Sequence, residues 1–362
     1  MSRAQAKPES AKRSRPPSGG GLAIEAERLE KRFGDNQAVA GVDLAVAPAT
    51  VYGLLGPNGA GKTTTVRILA TLLAPDGGRA RVAGHDVAAE PRLVRRAIAL
   101  AGQSATVDED LTGRENLTFL GRLAGLPRAA AKARAAGLLA AFGLEEAAAR
   151  QAKAYSGGMR RRLDLAASLI ARAEVYFLDE PTTGLDPASR AQVHQIIRSL
   201  AAGGATVLLT TQYLEEADQL ASRIAVIDHG TVIAEGTPGQ LKAAAGPGTL
   251  RIRLADPAQR PQARRTLAGL LGALVQDGVD PLVLTAMLPA ARSGQPASDQ
   301  AAAAVAELGR AGIAVGEFAL GQPSLDEVFL ALTAQPIASS APAAAGPETT
   351  ATGSQIFTKG SS

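Results

Sequence analysis

The sequence predicts an α/β fold with a largely parallel sheet, a helical insertion and a small α+β domain after it. Short apolar runs at residues 51–55, 175–178 and 206–209 are separated by helical patterns, which is typical of parallel strands joined by helices. A helix-rich stretch at residues 112–169 lies between the first two runs. The chain of 362 residues has room for about two domains and tails.

Composition excludes several classes of protein. The chain has no cysteine, which excludes disulfide frameworks, cysteine nucleophiles, cysteine-based zinc fingers and iron–sulfur clusters. No apolar run approaches the roughly 20 residues that cross a bilayer, and residues 1–20 lack the apolar segment of a signal peptide. We therefore expect a soluble or peripheral protein.

The formal charge of +4 is located in the first 20 residues, which carry five basic side chains and one acidic one. Residues 21–362 are neutral overall, so we expect no nucleic-acid partner for the folded part. Residues 1–21 are rich in Pro, Ser and Gly, which predicts a disordered basic leader. Contact of this leader with anionic lipid or nucleic acid is the alternative.

The first motif that carries chemistry is a glycine-rich loop between the apolar run at residues 51–55 and a helical pattern. Its spacing is that of a P-loop, in which backbone N–H groups and a helix N-terminus approach phosphate oxygens. Lys62 would neutralise phosphate charge and Thr63 would offer a hydroxyl to magnesium, whereas a purely structural turn would require neither. The predicted nucleotide-binding residues are Gly56, Pro57, Asn58, Gly59, Ala60, Gly61, Lys62, Thr63 and Thr64.

The apolar run at residues 175–178 ends in two carboxylates, Asp179 and Glu180. This is the edge at which parallel sheets bind ligands. Asp179 is predicted to hold magnesium, and Glu180 to polarise the attacking water as a general base. Acidic residues are common at strand ends, so the pair alone is a weak indicator.

The order of the motifs resembles the ATP-binding subunits of ABC transporters. The motifs are, in sequence, the P-loop, Gln103, the signature segment Tyr155-Ser156-Gly157-Gly158-Met159, the Asp179-Glu180 pair and the segment 181–186. The resemblance covers residues 22–236. Within the family, the segments 84–87, 108–117, 155–169 and 210–218 are most similar to daunorubicin/doxorubicin resistance-type exporters.

The resemblance implies a P-loop ATPase core at residues 22–248 with a helical subdomain at about residues 104–170. It implies that Phe33 stacks on adenine, and the alternative is an ordinary core residue at a strand end. It also implies that Gln103 contacts magnesium or the attacking water and relays the nucleotide state to a membrane partner.

The family's composite site implies a homodimer. Ser156, Gly157 and Gly158 would lie at a helix N-terminus and face the γ-phosphate bound by a second protomer. Asp186 would lie across the same seam. The family also implies a separate transmembrane permease and the cofactors ATP and Mg²⁺.

Two positions depart from the usual family pattern. Met159 replaces the signature glutamine but leaves the Ser-Gly-Gly backbone donors in place. Gln212 stands where a switch histidine is usual, and it can donate a hydrogen bond to the γ-phosphate without carrying a charge. None of the three histidines falls at that position, and His85, His194 and His229 are predicted to be surface or loop residues.

Residues 249–333 are predicted to form the small α+β domain, and residues 334–362 a disordered tail. The resemblance implies a regulatory or partner-contacting role for residues 325–330 near the end of this domain. The alternative is a helix that is capped by Ser324 and Glu327 and packs on the small domain.

The predicted function is ATP binding and hydrolysis in an ABC export system, at the cytoplasmic face of the cell membrane. It would power efflux of an amphipathic compound such as an antibiotic through a separate membrane subunit. Export of lipid or polysaccharide is the alternative. A soluble ABC-type ATPase that acts on nucleic acid or ribosomes is disfavoured, because the chain has neither a long heptad insertion nor a second ATPase cassette.

Overall fold

The structure is a computed structural model that describes residues 21–102, 107–245, 248–272, 275–278, 280–289, 296–321, 324–325 and 327–329. The strands are β1 (Ile24–Phe33), β2 (Asn36–Val46), β3 (Val51–Leu55), β4 (Gly77–Val82), β5 (His85–Asp86), β6 (Ile98–Ala101), β7 (Val175–Asp179), β8 (Thr206–Thr211), β9 (Arg223–Asp228), β10 (Thr231–Gly236), β11 (Thr249–Leu254), β12 (Val275–Asp277), β13 (Val283–Met287) and β14 (Val315–Gly321).

The helices are α1 (Lys62–Leu69), α2 (Pro91–Ala97), α3 (Gly113–Leu123), α4 (Arg128–Ala141), α5 (Gly157–Ser168), α6 (Pro187–Ala202), α7 (Leu214–Leu220), α8 (Pro238–Ala245), α9 (Arg260–Leu271) and α10 (Ala297–Arg310). Short 3₁₀ helices occur at Ala152–Ala154 and Pro257–Gln259.

The central sheet has six strands in the order β10-β9-β3-β8-β7-β6. Its strands are parallel except for β10, which pairs antiparallel with β9. Every residue of β3, β7 and β8 is buried, as expected for parallel strands that are covered on both faces. The predicted α/β class is confirmed, and the carboxyl ends of these three strands meet at one edge of the sheet.

The central sheet separates two apolar cores. On one face it packs with α1 and an antiparallel sheet of order β2-β1-β4-β5, and this core includes Leu29, Val66 and Phe177. On the other face it packs with α5, α6 and the helical insertion, and that core includes Leu117 and Leu163. The sheet edge that carries the predicted site is therefore supported from both sides.

The helical insertion contains α3 and α4 and leads into α5. Thr112 caps α3: its hydroxyl accepts from the Glu115 backbone N–H, and the Glu115 side chain accepts from the Thr112 backbone N–H. Such a cap contributes about 1 kcal/mol to helix stability. Thr112 and Glu115 have the sequence spacing of a capping box, and both of its hydrogen bonds are present.

The small domain is an antiparallel sheet of order β12-β13-β11-β14 with α9 and α10 packed on it. In β11, the apolar side chains are buried and Arg251 and Arg253 are exposed, as their alternation predicts. This domain has its own apolar core, which includes Leu250, Leu267 and Leu308.

The last described segment is helical at residues 325 and 327–329, and its predicted capping box is present. The Ser324 backbone N–H donates to Glu327 Oε2 over 2.7 Å, and the Glu327 backbone N–H donates to Ser324 Oγ over 3.2 Å. Leu325 and Val328 pack with α7, β9 and α8 rather than with the core of the small domain. The alternative that this helix packs on the small domain is wrong, because its apolar face is covered by the α/β domain.

Three groups of predictions lie outside the described residues: Gln103, the leader at residues 1–20 and the tail at 334–362. Among the described helices, none combines the length and the apolar character that a membrane-spanning segment requires.

Candidate functional site

The predicted phosphate loop joins β3 to α1 and is packed tightly against neighbouring backbone. Gly61 has φ +102°, and a Cβ there would lie 2.3 Å from the carbonyl oxygen of Ala38 in β2. A Cβ on Gly56 would lie 2.2 Å from the carbonyl oxygen of Ile227 in β9. Only glycine fits at these two positions, because any side chain would push the loop off its two neighbours.

Lys62 opens α1 and is buried inside the loop. Its Nζ donates to the carbonyl oxygens of Gly56 and Pro57 over 2.7 and 2.9 Å. Burial lowers the pKa of Lys62, and the charges of Glu180 and Asp179 act in the opposite direction. The Lys62 ammonium is therefore held inside a loop that leads into a helix N-terminus, where backbone N–H groups favour a bound anion.

Asp179 ends β7 and is buried against two hydroxyl groups. Thr63 Oγ1 donates to Asp179 Oδ1 over 3.1 Å, and Thr210 Oγ1 donates to the same oxygen over 2.5 Å. The register of β7 and β8 places Asp179 opposite Thr210. A carboxylate beside a hydroxyl is a donor set that Mg²⁺ accepts, since this ion commonly takes one or two protein oxygens and completes its shell with phosphate and water.

Glu180 follows β7 in a left-handed conformation with φ +50°, which is uncommon for a residue other than glycine. Its backbone N–H donates to the carbonyl oxygen and to the hydroxyl of Thr210 over 3.1 and 3.0 Å. Its Oε1 lies 3.8 Å from Lys62 Nζ. Such backbone strain costs about 1–3 kcal/mol and is found mainly at functional sites.

Thr210 and Arg161 also bind the Asp179-Glu180 edge of the site, and the sequence analysis did not identify them. Arg161 of α5 donates to the carbonyl oxygens of Gly102 and Glu180, each over 2.8 Å. Burial lowers the pKa of Arg161, and nearby carboxylates oppose this effect. Strands β7 and β8 are parallel neighbours that end at the same edge of the sheet, which could have indicated that Thr210 lies beside Asp179. A run of three arginines gave no signal for which one turns inward.

The signature segment and Asp186 lie at the starts of two helices. Ser156 caps α5 and accepts a hydrogen bond from the Met159 N–H over 3.3 Å, while Ser156 and Gly157 are exposed. Asp186 caps α6 and accepts from the N–H and the hydroxyl of Ser189, and these bonds lower its pKa. Within the described residues, no hydrogen bond connects Ser156 to the loop that holds Lys62.

Phe33 lies at the end of β1 and is 48% exposed, so the alternative of an ordinary core residue is wrong. The Lys31 ammonium lies 5.8 Å from the centre of its ring. Phe33 pairs with Asn36 in the β1–β2 hairpin, and Ala38 of this hairpin touches Gly61. The hairpin therefore places an exposed aromatic ring on a segment that borders the phosphate loop.

Gln212 follows β8 and is partly buried. It lines a small cavity of about 60 Å³ together with Gly56, Pro57 and Phe329. The structure therefore brings the predicted switch residue next to the phosphate loop and to the helix at the C-terminal end. Gln103, predicted for the same site, is not among the described residues.

The prediction that the three histidines are surface or loop residues is wrong for His194. His194 is buried in α6, where its Nε2 lies 3.1 Å from Glu216 Oε1. The α6 residues Val193 and Ile197 flank it on the buried face. His229 lies in an exposed turn, and His85 is partly exposed in β5.

Comparison with known proteins agrees with this geometry. The family model described as "ABC transporter" matches residues 39–183. The chain is 55% identical over 314 residues to the daunorubicin/doxorubicin resistance ATP-binding protein DrrA of Streptomyces peucetius. The aligned stretch covers 87% of this chain and 93% of the relative. It is 44% identical over 219 residues to the Nod factor export ATP-binding protein I of Paraburkholderia xenovorans, covering 60% of this chain and 72% of that protein.

A solved structure described as the ATP-binding subunit of an ABC transporter superposes with a TM-score of 0.57 and 27% identity, over 62% of this chain and 92% of that one. Its coverage corresponds to the α/β domain in extent. With the phosphate loop and the Asp179-Glu180 edge in place and 55% identity along most of both chains, the protein belongs to the ATP-binding subunits of ABC transporters, within the daunorubicin/doxorubicin resistance type.

Proposed function

We propose that this ATP-hydrolysing subunit powers export of an amphipathic, drug-like compound through a separate membrane permease. The observation that carries the proposal is the meeting of Lys62, Asp179 and Glu180 at one edge of the sheet. The Lys62 Nζ and Glu180 Oε1 atoms are 3.8 Å apart, and Asp179 Oδ1 is 3.1 Å from Thr63 Oγ1. A phosphate-binding cation, two oxygen ligands and a candidate base thus share one site.

In the proposed mechanism, the triphosphate lies along the backbone N–H groups of residues 56–64, and Phe33 stacks on adenine. Lys62 exchanges its bonds to the Gly56 and Pro57 carbonyl oxygens for bonds to the β- and γ-phosphates. Thr63 and Asp179 would hold Mg²⁺, with Gln103 as a further expected contact, and the ion would neutralise phosphate charge there. Glu180 accepts a proton from the attacking water, and Gln212 donates a hydrogen bond to the γ-phosphate.

We further propose that two copies of the chain complete each site. Ser156, Gly157 and Gly158 at the start of α5 then face the γ-phosphate bound by the other copy. Support comes from the exposure of Ser156 and of Gly157 in a single chain. Asp186 is exposed as well, and it would lie across the same seam.

The proposed permease contact lies on the helical insertion. Phe119 and Leu123 of α3 are 55% and 68% exposed and are one helical turn apart, so they share a face of the helix. Leu120, between them, packs into the core below. Large exposed apolar side chains on one face indicate a protein partner. We propose that this partner is the permease, with the subunit at the cytoplasmic face of the membrane.

The class of compound that the system exports is inferred from the relatives of this chain. A relative that is named for daunorubicin and doxorubicin resistance matches 87% of this chain and 93% of its own length. This favours a drug-like cargo. The second candidate is export of a lipid or polysaccharide, and the observation that favours it is that a relative named for Nod factor export matches 60% of the chain.

The test is to purify the full chain from native membranes and to identify the membrane subunit that accompanies it. We then measure ATP hydrolysis of the complex with daunorubicin or doxorubicin, and separately with lipid and polysaccharide. Stimulation by the drugs and loss of all stimulation in Glu180→Gln support the proposal. Recovery of the chain without any multi-span membrane protein contradicts it, and stimulation only by lipid or polysaccharide favours the second candidate.

A further inference from the structure

A buried polar cluster lies behind Gln212, apart from the residues that would touch nucleotide. It consists of Thr182, His194 and Glu216, whose exposures are 1%, 5% and 2%. The Thr182 hydroxyl donates to Glu216 Oε1 over 2.8 Å, and His194 Nε2 lies 3.1 Å from the same oxygen. A carboxylate oxygen accepts hydrogen bonds, so the His194 tautomer that bonds to Glu216 carries its proton on Nε2. We call these three residues the Glu216 cluster.

The Glu216 cluster joins three segments that each carry a residue of the proposed site. One segment follows β7, the second is α7, which starts just after the switch position, and the third is α6, which begins at the proposed dimer seam. The pairs on the three segments are Thr182 with Glu180, Glu216 with Gln212, and His194 with Asp186.

A second contact braces the same two helices one turn closer to the site. The Arg190 guanidinium of α6 lies 5.3 Å from the centre of the Tyr213 ring. Tyr213 caps α7 and is the residue after Gln212. Cation–π contacts of this kind favour a fixed separation of the two groups. Helices α6 and α7 are therefore connected at two successive levels.

The Glu216 cluster is energetically less favourable than apolar packing of the same volume would be. Burial of a carboxylate carries a large desolvation penalty, and well-packed apolar side chains of similar volume are often as stabilising or more so. Among the described residues, Glu216 Oε2 has no hydrogen-bond partner, so the carboxylate is held through one oxygen only. Packing alone does not account for a carboxyl side chain at this position.

We infer that Glu216 is a positioning residue: through Thr182 and His194 it fixes the switch residue Gln212 relative to Glu180 and to the Asp186 end of α6. The inference rests on the role proposed above for Gln212. Lys62 lies on a different element and makes its own bonds to the loop. Loss of the Glu216 cluster therefore lowers kcat and leaves KM for ATP nearly unchanged.

The experiment compares ATP hydrolysis by full-length variants, measured with MgATP on the permease complex. Glu216→Met keeps the volume and removes both hydrogen bonds, and kcat is expected to fall about 10- to 100-fold, as for a misplaced catalytic group. Glu216→Gln keeps an acceptor for Thr182 and His194 and should restore most of the rate. Glu215→Met is the matched control, because Glu215 is the exposed neighbour on the same helix and accepts from Gln219; its rate should equal that of the wild type.

A double-mutant cycle with Gln212→Ala separates positioning from a general loss of stability. If Glu216 acts through Gln212, the double variant Glu216→Met/Gln212→Ala is no slower than Gln212→Ala alone. Multiplication of the two losses, or an unchanged kcat in Glu216→Met, overturns the inference while the role of Gln212 stands. A normal rate in Gln212→Ala overturns the proposed role of Gln212 itself and the inference with it.

Thr182→Val gives a second route should Glu216→Met fail to fold. It removes one of the two bonds to Glu216 and keeps the shape of the side chain. A smaller loss of kcat, again masked by Gln212→Ala and again without change in KM, is the expected result. A loss that adds to that of Gln212→Ala, or no loss at all, contradicts the inference.

Discussion

The ammonium of Lys62 lies 3.8 Å from the carboxylate of Glu180, so the proposed phosphate-binding group and the proposed base are paired across the site. The ammonium is held more closely by the carbonyl oxygens of Gly56 and Pro57, at 2.7 and 2.9 Å, and the carboxylate is its longer, anionic contact. If Lys62 binds the γ-phosphate as proposed, the ammonium gains a second anionic partner and its contact with Glu180 should weaken. With the proposed roles, phosphate binding at Lys62 would leave Glu180 freer to act on the attacking water.

Glu180→Gln should retain ATP affinity and abolish turnover. The amide cannot accept the proton of the attacking water, and loss of a general base costs about 10²–10⁴-fold in rate. ATP should then hold the two copies together as a trapped dimer, which size-exclusion chromatography with ATP would reveal. Lys62→Ala is the contrasting variant, because it should weaken ATP binding as well. Hydrolysis at the wild-type rate by Glu180→Gln with its permease present would show that the base is another residue.

A mixed dimer should reveal the composite site. In a dimer of one Lys62→Ala chain and one Ser156→Ala chain, one site carries both lesions and the other carries neither. Each homodimer has a lesion in both of its sites. Hydrolysis by the purified mixed dimer should exceed that of either homodimer, and a rate well below both would contradict the shared geometry.

Gln212→Ala should lower turnover severely, because removal of one preorganised donor to developing charge costs about 3–4 kcal/mol in well-studied sites. Gln212→His should remain active, since both side chains donate from a similar distance. An unperturbed histidine has a pKa near 6.5 and is charged below it, so any gain in Gln212→His should grow as the pH falls from about 8 to about 6. ATPase rates of the three proteins at saturating nucleotide across this range are the measurement. Nearly normal hydrolysis by the alanine variant would mean that Gln212 only supports the loop.

Gly61→Ala should destabilise the folded protein and weaken ATP binding. Its backbone φ is +102°, and the added Cβ would lie 2.3 Å from the carbonyl oxygen of Ala38. Gly137→Ala is a control of opposite sign, because Gly137 lies inside α4 with no neighbouring atom within 4 Å of an added Cβ. Alanine in a helix is about 0.5–1 kcal/mol more favourable than glycine. Urea unfolding of both variants tests the pair, and equal shifts of the two midpoints in one direction would contradict this account.

The parallel sheet and the phosphate loop could be read from the sequence because local patterns specify them. An apolar run such as that of β7 suits a strand covered on both faces, and the Lys62-Thr63 pair has a meaning that depends only on its immediate neighbours. The cap on α3 is likewise set by Thr112 and Glu115 alone.

The features that the sequence did not reveal depend on distant partners. His194 lies at the buried spacing of Val193 and Ile197, which was a usable signal, but its partner Glu216 is on another helix. The apolar stripe with Leu325 and Val328 indicated a buried face without indicating what covers it. Arg161 required the orientation of α5 relative to β7, which no local pattern gives.

The packing of Leu325 and Val328 against α7 and β9 gives the small domain two points of attachment to the α/β domain. The chain enters the small domain after α8 and returns at this helix. A domain on a single linker can rotate about many axes, whereas a domain attached at two points keeps mainly the axis through both. The second point of attachment includes α7, the helix that follows Gln212, so the small domain is fastened to the element next to the proposed switch residue.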